Sequence, residues 1–187
     1  MEVQKVSIKN IEETTQYLTF KLDDETYAID INQVREVLDF TVITKVPRMP
    51  DFMQGVINLR GGVVPVVDLR LKFEMPSTEK TVDTCIIIME ITIDGETTLL
   101  GALADSVQEV LNLEPDQLEP APKIGTRLKT EFIKCMGKKN DEFIIILDID
   151  RVFSVDELVG VKDSETIVVP KNDDKSLEEE SEDLESL

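Results

Sequence analysis

The sequence predicts a mainly β protein made of two small barrels related by a pseudo-two-fold axis. Two observations carry this prediction: short alternating apolar runs separated by turn residues, and sequence words that recur 73 to 80 residues apart. A unit of about 70 residues buries comparatively little surface alone. We therefore expect the two copies to pack against each other, with a groove between them.

Two hairpins open the two copies. Residues 16–22 alternate, Asp23–Thr26 supplies turn residues, and the strand resumes at Tyr27. Residues 84–93 and those after Asp94–Gly95 repeat this arrangement. An Asp-Gly pair favours a type I′ turn, in which both central residues need a positive φ.

Matching words follow the two hairpins. N-Q-V-R-E-V-L (32–38) is echoed 73 residues later by D-S-V-Q-E-V-L (105–111), and V-V-D-L-R-L-K-F (66–73) is echoed by I-L-D-I-D-R-V-F (146–153) at a spacing of 80. The drift indicates loop insertions in the second copy. The equivalent positions are Val34 and Val107, Glu36 and Glu109, Leu38 and Leu111, and Asp68 and Asp148.

Short helical turns are predicted at 30–35, 50–54, 69–73 and 148–158, the last with Asp148 or Asp150 as its N-cap. We expect one domain over 15–158, with subdomains at about 15–80 and 81–158 whose termini cross over. The segment 161–187 is predicted to be an acidic, disordered tail, because its last seventeen residues carry eight acids and two lysines.

The composition restricts the function. The net charge of −19 would repel nucleic acid and anionic membranes, and no apolar run approaches the length of a membrane span. Without a secretory signal the expected compartment is the cytosol, where Cys85 and Cys135 read as reduced, buried thiols. The chain has no histidine, and we expect neither a metal nor a cofactor.

One enzymatic alternative stays open. Asp68 and Asp148 occupy equivalent repeat positions, as the paired carboxylates of an aspartic protease would. Their contexts, V-D-L-R and L-D-I-D, lack the small hydroxyl and glycine of such a loop, and both precede candidate helices, where aspartate commonly acts as a cap. Phosphate-binding loops, nucleophile elbows and calcium loops are also absent, so binding is favoured over turnover.

A single arginine stands out between two apolar strands. In V-I-N-L-R-G-G-V-V-P-V-V, strands at 55–59 and 63–67 flank a turn predicted at Gly61–Gly62, with Arg60 before it. Arg60 either satisfies carbonyls or bridges to Asp68 or Glu36, or it presents a planar guanidinium to a partner at the edge of the groove. The sequence leaves both interpretations open.

The loop before this hairpin, residues 41–55, is unusually apolar and contains two prolines and two methionines. Such a loop is either packed into the core or exposed as a partner patch. We expect Phe52 to be packed, and Val42, Thr44 and Met49 to be exposed.

Taken in order, Y-A-I-D-I-N-Q-V-R-E-V, P-D-F-M-Q-G-V-I-N-L-R-G, V-V-P-V-V-D-L-R and L-A-D-S-V-Q-E-V-L resemble the CheW family of bacterial chemotaxis coupling proteins over about residues 15–158. The resemblance implies two SH3-like five-stranded barrels and no enzymatic activity. It implies an adaptor that bridges the cytoplasmic tips of methyl-accepting chemoreceptors to the regulatory domain of the histidine kinase CheA, in membrane-associated arrays where copies of the adaptor also meet in rings.

By position, the resemblance implies receptor binding at Arg60 and Glu36, with Val34 and Val107 as apolar neighbours. It implies kinase binding around Val42, Thr44 and Met49. An alternative is an isolated CheW-like regulatory module of another two-component protein, although the length accommodates neither the ATP-binding domain of a kinase nor the receiver domain of a CheV-type fusion. The acidic segment lies outside the resemblance.

Overall fold

The computed structural model of the protein describes residues 14–76, 79–123, 128–154 and 156–158. Within this part the protein is mainly β, as predicted, with eleven strands in two sheets and two one-turn helices. The expected tail at 161–187 lies outside the described residues, so the prediction of its disorder stays a prediction.

Sheet 1 has six strands in the order β8-β1-β2-β11-β10-β9. Its strands are β1 (Thr15–Leu22), β2 (Glu25–Asp30), β8 (Ser106–Leu113), β9 (Leu118–Glu119), β10 (Ile133–Lys139) and β11 (Glu142–Leu147). Sheet 2 has five strands in the order β3-β6-β7-β5-β4. Its strands are β3 (Val34–Asp39), β4 (Met53–Leu59), β5 (Gly62–Asp68), β6 (Cys85–Ile93) and β7 (Glu96–Ala104).

The two sheets repeat one topology. Apart from the two-residue β9, each sheet contains a hairpin, a strand antiparallel to the first strand of that hairpin, and a second hairpin joined in parallel to the other side. The strand that follows each opening hairpin leaves for the other sheet: β3 pairs with β6, and β8 pairs with β1. The repeat in the sequence is therefore a repeat in the fold.

This exchange of strands corrects the expected subdomain boundary near residue 80. The chain passes to sheet 2 after Asp30 and returns to sheet 1 after Ala104, so residues 34–104 form one sheet and the flanking segments form the other. Local patterns cannot reveal this, because the alternation of β3 or β8 is satisfied by pairing with either hairpin.

Three apolar clusters follow from this arrangement. One cluster draws only on sheet 1 and includes Tyr17, Leu111 and Ile144; a second draws only on sheet 2 and includes Ile57 and Ile86. The third and largest takes residues from both sheets. One face of each sheet thus lines its own barrel, and the opposite face packs against the other barrel.

The one-turn helices occupy equivalent places. Helices α1 (Leu69–Lys72) and α2 (Ile149–Val152) follow β5 and β11, as predicted, and Asp68 accepts a hydrogen bond of 2.9 Å from the backbone N–H of Arg70 as a cap. The prediction at 30–35 corresponds to a 3-10 turn at Ile31–Gln33. The helix predicted at 50–54 is wrong: a hydrogen-bonded turn closes there, and β4 begins at Met53. The 3-10 turns at Pro115–Gln117 and Thr130–Phe132 were not predicted.

Candidate functional site

The turn that carries Arg60 differs by one residue from the prediction. The two turn residues are Arg60 and Gly61, with φ of 50° and 85°, and Leu59 and Gly62 close the hairpin as Cα partners. Two successive positive φ values define a type I′ turn, and an arginine there adopts a backbone conformation that glycine prefers. The carbonyl oxygen of the Asn58 side chain stabilises the turn by accepting a 2.8 Å hydrogen bond from the N–H of Gly61.

Arg60 meets Glu36 where sheet 2 closes into a barrel. Glu36 lies on β3 and Arg60 follows β4, at opposite edges of the sheet, and two parallel hydrogen bonds of 2.7 and 2.8 Å join the guanidinium to the carboxylate. These bonds and the charge of Glu36 raise the pKa of Arg60. The side chain of Arg60 nevertheless stays 73 % exposed, whereas that of Glu36 is 25 % exposed.

This geometry combines the two interpretations of Arg60 that the sequence left open. The bridge is made to Glu36, one of the two partners considered; the other, Asp68, is bound to Arg70. A bidentate bridge holds the guanidinium in one plane, while most of its surface remains available to a partner. The site is therefore a preset cation at the rim of a barrel.

The two valines predicted beside this pair lie at the junction of the barrels. Val34 and Val107 are both half-buried and pack against the cluster that the two sheets share. Val34 begins β3, and Val107 is the second residue of β8, so each follows a crossing of the chain between sheets. The structure places them at equivalent positions of the repeat.

The loop 41–50 gives a divided result. Val42 is 85 % exposed, and Thr44 is exposed while its backbone N–H and C=O exchange 2.9 Å hydrogen bonds with Val56. Met49, expected at the surface, is half-buried and packs against the shared core, and Phe52 packs there as expected. The expectation of full exposure is therefore wrong for Met49.

Gly55 explains how this loop is held. A Cβ at Gly55, whose φ is 140°, would lie 2.1 Å from the carbonyl oxygen of Thr44. No side chain fits in that space, so the glycine lets the loop cross directly over β4. The position of Val42 and Thr44 depends on this close approach.

The second barrel carries a counterpart of the Arg60 pair that was not predicted. Asn140 and Asp141 have φ of 49° and 64° and form the equivalent turn between β10 and β11. Next to it, the ammonium of Lys139 lies 3.0 Å from the carboxylate of Glu109, the repeat equivalent of Glu36. The spacing of 80 residues between Arg60 and Asn140 is the signal that would have located this pair.

A buried charge network ties the two barrels together. Arg70 has a side chain that is 4 % exposed, and its guanidinium lies 3.1 Å from Asp68 and 2.6 Å from Asp105. Burial works against the charge of Arg70, but its bonds to Asp68 and Asp105 outweigh this and raise its pKa. Asp105 is the residue at which the chain crosses from β7 to β8, and it also accepts a hydrogen bond of 2.6 Å from the N–H of Asp23.

The carboxylates of the enzymatic alternative have structural partners. Asp68 is 4 % exposed and binds the guanidinium of Arg70, while Asp148 pairs with Arg151 at 3.4 Å. Each carboxylate is thus held by its own arginine, next to the helix that it precedes. In the described residues, no cluster of three histidine, cysteine or acidic side chains could hold a metal ion, and no helix is long and apolar enough to traverse a bilayer.

Fold and site together define a duplicated β-barrel binding module with charged pairs at the rim of each barrel. A family profile described as CheW-like domain matches residues 16–157. The chain is 34 % identical over 146 residues to the chemotaxis protein CheW of Klebsiella aerogenes, which covers 78 % of this chain and 86 % of that protein. It is 33 % identical over 138 residues to the CheW of Thermotoga maritima, covering 72 % and 85 % of the two chains.

A solved structure agrees. The crystal structure of the scaffolding protein TtCheW from Thermoanaerobacter tengcongensis superposes with a TM-score of 0.70 at 36 % identity, covering 78 % of this chain and 96 % of that one. The chain therefore belongs to the CheW family, and its two barrels have the two-subdomain, SH3-like fold of that scaffold. Its class is that of a chemotaxis adaptor.

Proposed function

We propose that the protein couples the cytoplasmic tips of methyl-accepting chemoreceptors to the regulatory domain of the histidine kinase CheA, by binding both and without catalysing a reaction. The domain that does this spans 15–158. Membership of the CheW family supports the proposal, and the observation that carries it is the exposed, bidentate Arg60 beside the junction of two barrels.

The receptor-binding surface comprises Arg60, Glu36, Val34 and Val107. A receptor helix offers apolar side chains along one face and polar groups beside them, which suits two half-buried valines next to a fixed guanidinium. Because Glu36 already holds Arg60 in place, a partner loses little conformational freedom of this side chain on binding. Arg60 thus supplies orientation as well as charge.

The kinase-binding surface comprises Val42, Thr44 and Met49. Val42 is 85 % exposed, and the backbone of Thr44 is fixed against β4, so an apolar side chain is presented from a rigid loop. Two rigid faces on one body are what an adaptor needs. Repetition in an array of receptors and kinases, with further contacts between adaptor copies, compensates for the weakness of each contact.

The experiment is a titration of the full chain against a CheA regulatory domain and, separately, against a chemoreceptor cytoplasmic fragment. Arg60→Ala is expected to weaken receptor binding at least tenfold and to leave kinase binding within twofold, since a charged contact in an interface contributes about 1.5 to 3 kcal/mol. Val42→Glu is expected to do the reverse, because it places a charge in an apolar contact.

Lys139→Ala is the matched control, since it removes the equivalent ion pair from the other barrel. It is expected to leave both affinities unchanged. If neither partner binds the unaltered chain, the coupling function is wrong for this protein. If Arg60→Ala weakens both interactions equally, Arg60 acts through the fold and not as a receptor contact.

A further inference from the structure

The positive charge of this acidic protein is concentrated on one side of one barrel. Residues 120–140 contain six lysines and arginines and one acid, a net of +5 in a chain whose net charge is −19. Of these, Lys123, Lys129, Lys134 and Lys138 are described and exposed. The repeat does not require this charge, because Lys134 and Lys138 correspond to Gln54 and Asn58 on β4 at the spacing of 80 residues.

An exposed aromatic side chain lies beside these lysines. Phe143 on β11 is 53 % exposed and is the Cα partner of Lys138 on β10, so the two side chains share one face of the sheet. We call Lys134, Lys138 and Phe143 the β10 face. It offers two cations and one apolar contact along adjacent strands.

The chain contains a segment of complementary chemistry. Residues 178–185 hold six acids and no basic residue, and Leu177 and Leu184 flank or interrupt them. Carboxylates at this density match the lysines of the β10 face, and a leucine matches Phe143. Residues 161–187 as a whole carry ten acids and three lysines.

The point from which this segment departs is fixed near the same face. Ser154 and Glu157 cap the last helical turn reciprocally, Glu157 binds the ammonium of Lys72 at 2.5 Å, and Leu158 is 5 % exposed in the shared core. The ammonium of Lys72 lies 5.7 Å from the ring centroid of Phe132, the residue that immediately precedes β10.

The connection is also long enough. Twenty residues separate Leu158 from Glu178. At the rise of an α-helix, the shorter of the regular conformations, they span about 30 Å, and the seven residues of β10 span about 23 Å. The acidic residues therefore reach the whole β10 face whichever conformation the connection takes.

We propose that the acidic segment 161–187 binds the β10 face of its own chain and acts as an intramolecular competitor for acidic partner surfaces at that face. A segment tethered in this way has an effective concentration in the millimolar range. A partner must then displace it before it contacts Lys134 and Lys138. This inference concerns a surface distinct from Arg60 and Val42 and does not depend on the proposed coupling function.

The first test is zero-length carbodiimide cross-linking of the full-length chain at low micromolar concentration, with peptide mass spectrometry. An equal mixture of unlabelled and ¹⁵N-labelled protein separates links within a chain from links between chains. We expect links from Lys134 or Lys138 to Glu178–Glu185, in same-isotope pairs, and at least a tenfold loss of yield at about 1 M salt, where the Debye length is about 3 Å.

The exposed lysines Lys45 and Lys80, which lie elsewhere on the protein, provide the internal reference. If links to Lys45 and Lys80 are as frequent as those to the β10 face, the segment has no preferred site and the proposal is wrong. If the links join unlike isotopes, the occupant is a second copy of the chain, which also contradicts it.

The second test uses charge reversal in the full chain. Lys134→Glu with Lys138→Glu is expected to move the backbone amide NMR signals of residues 178–185 to the positions they have in an isolated peptide of the same sequence. Lys45→Glu with Lys80→Glu makes the same change in net charge and should not move them. Lys134→Gln with Lys138→Gln replaces the first variant if circular dichroism shows loss of fold, and unmoved signals in the folded variant would refute the proposal.

Discussion

Replacing Arg70 by methionine tests the network that ties the barrels together. The change keeps the length of the buried side chain but leaves Asp68, whose side chain is 5 % exposed, without its guanidinium partner, and Asp105, 24 % exposed, without one of its bonds. Removing one member of a buried ion pair costs about 3 to 5 kcal/mol, since the remaining charge is left uncompensated. The free energy of unfolding of a typical domain is about 5 to 15 kcal/mol, so a large part of the stability is lost.

Urea unfolding followed by circular dichroism measures this loss. With a denaturant slope of about 2 kcal/mol per molar, the midpoint is expected to fall by about 1.5 to 2.5 M urea. The double variant Arg70→Met with Asp68→Leu removes the stranded carboxylate and should recover most of the loss. Arg60→Met is the exposed control and should change the midpoint little.

Two outcomes would refute this reasoning. A midpoint for Arg70→Met within about 0.5 M of the unaltered chain would mean that solvent reaches Asp68 and that the network contributes little. A double variant as unstable as the single one would mean that lost packing, and not an uncompensated charge, causes the effect.

Three further predictions concern the loop, the last helical turn and a thiol. Gly55→Ala should lower the free energy of unfolding by about 1 to 3 kcal/mol, because a Cβ meets the carbonyl of Thr44, and should speed hydrogen exchange at the Thr44 amide. Burial raises the pKa of Glu157, yet bonds from Lys72 and Ser154 lower it overall from 4.5; the stabilisation is present above this value and is lost as pH falls through the lower folded pKa, so Glu157→Gln should show a smaller loss of the urea midpoint between about pH 6 and 3. Burial raises the pKa of the Cys135 thiol, so its alkylation at neutral pH should be slower than that of a free cysteine and should accelerate on unfolding in urea.

Local chemistry predicted the hairpins and the caps. The turn at Asp94–Gly95 has positive φ at both residues, because this dipeptide tolerates that backbone, and Asp68 caps α1, because a short carboxylate reaches the free N–H groups of a helix start. The same reasoning failed at 50–54, where the need to register Met53 with Val67 in the sheet ends the turn early. Tertiary pairing overrode a weak local preference.

The candidate site was predictable in its residues but not in its geometry. The isolated arginine and the repeat identified Arg60 and Glu36 as residues of interest, yet their pairing depends on the closure of sheet 2, which brings β3 next to the β4–β5 turn. Met49 was misplaced for a related reason: an apolar loop residue can face either the core or the solvent, and the path of the loop over Gly55 decides between them.

The exchange of strands explains why the proposed receptor surface lies where it does. Val34 and Val107 follow the two points at which the chain crosses between the sheets, so any rotation of one barrel against the other changes the distance between them. Asp105 stands at one crossing and is fixed by Arg70 and by the N–H of Asp23. Loosening that network should therefore weaken receptor binding before it unfolds the protein. A folded Arg70→Lys chain with normal kinase affinity and reduced receptor affinity would separate this effect from general loss of stability, and unchanged affinity for both partners would show that the crossing tolerates the movement.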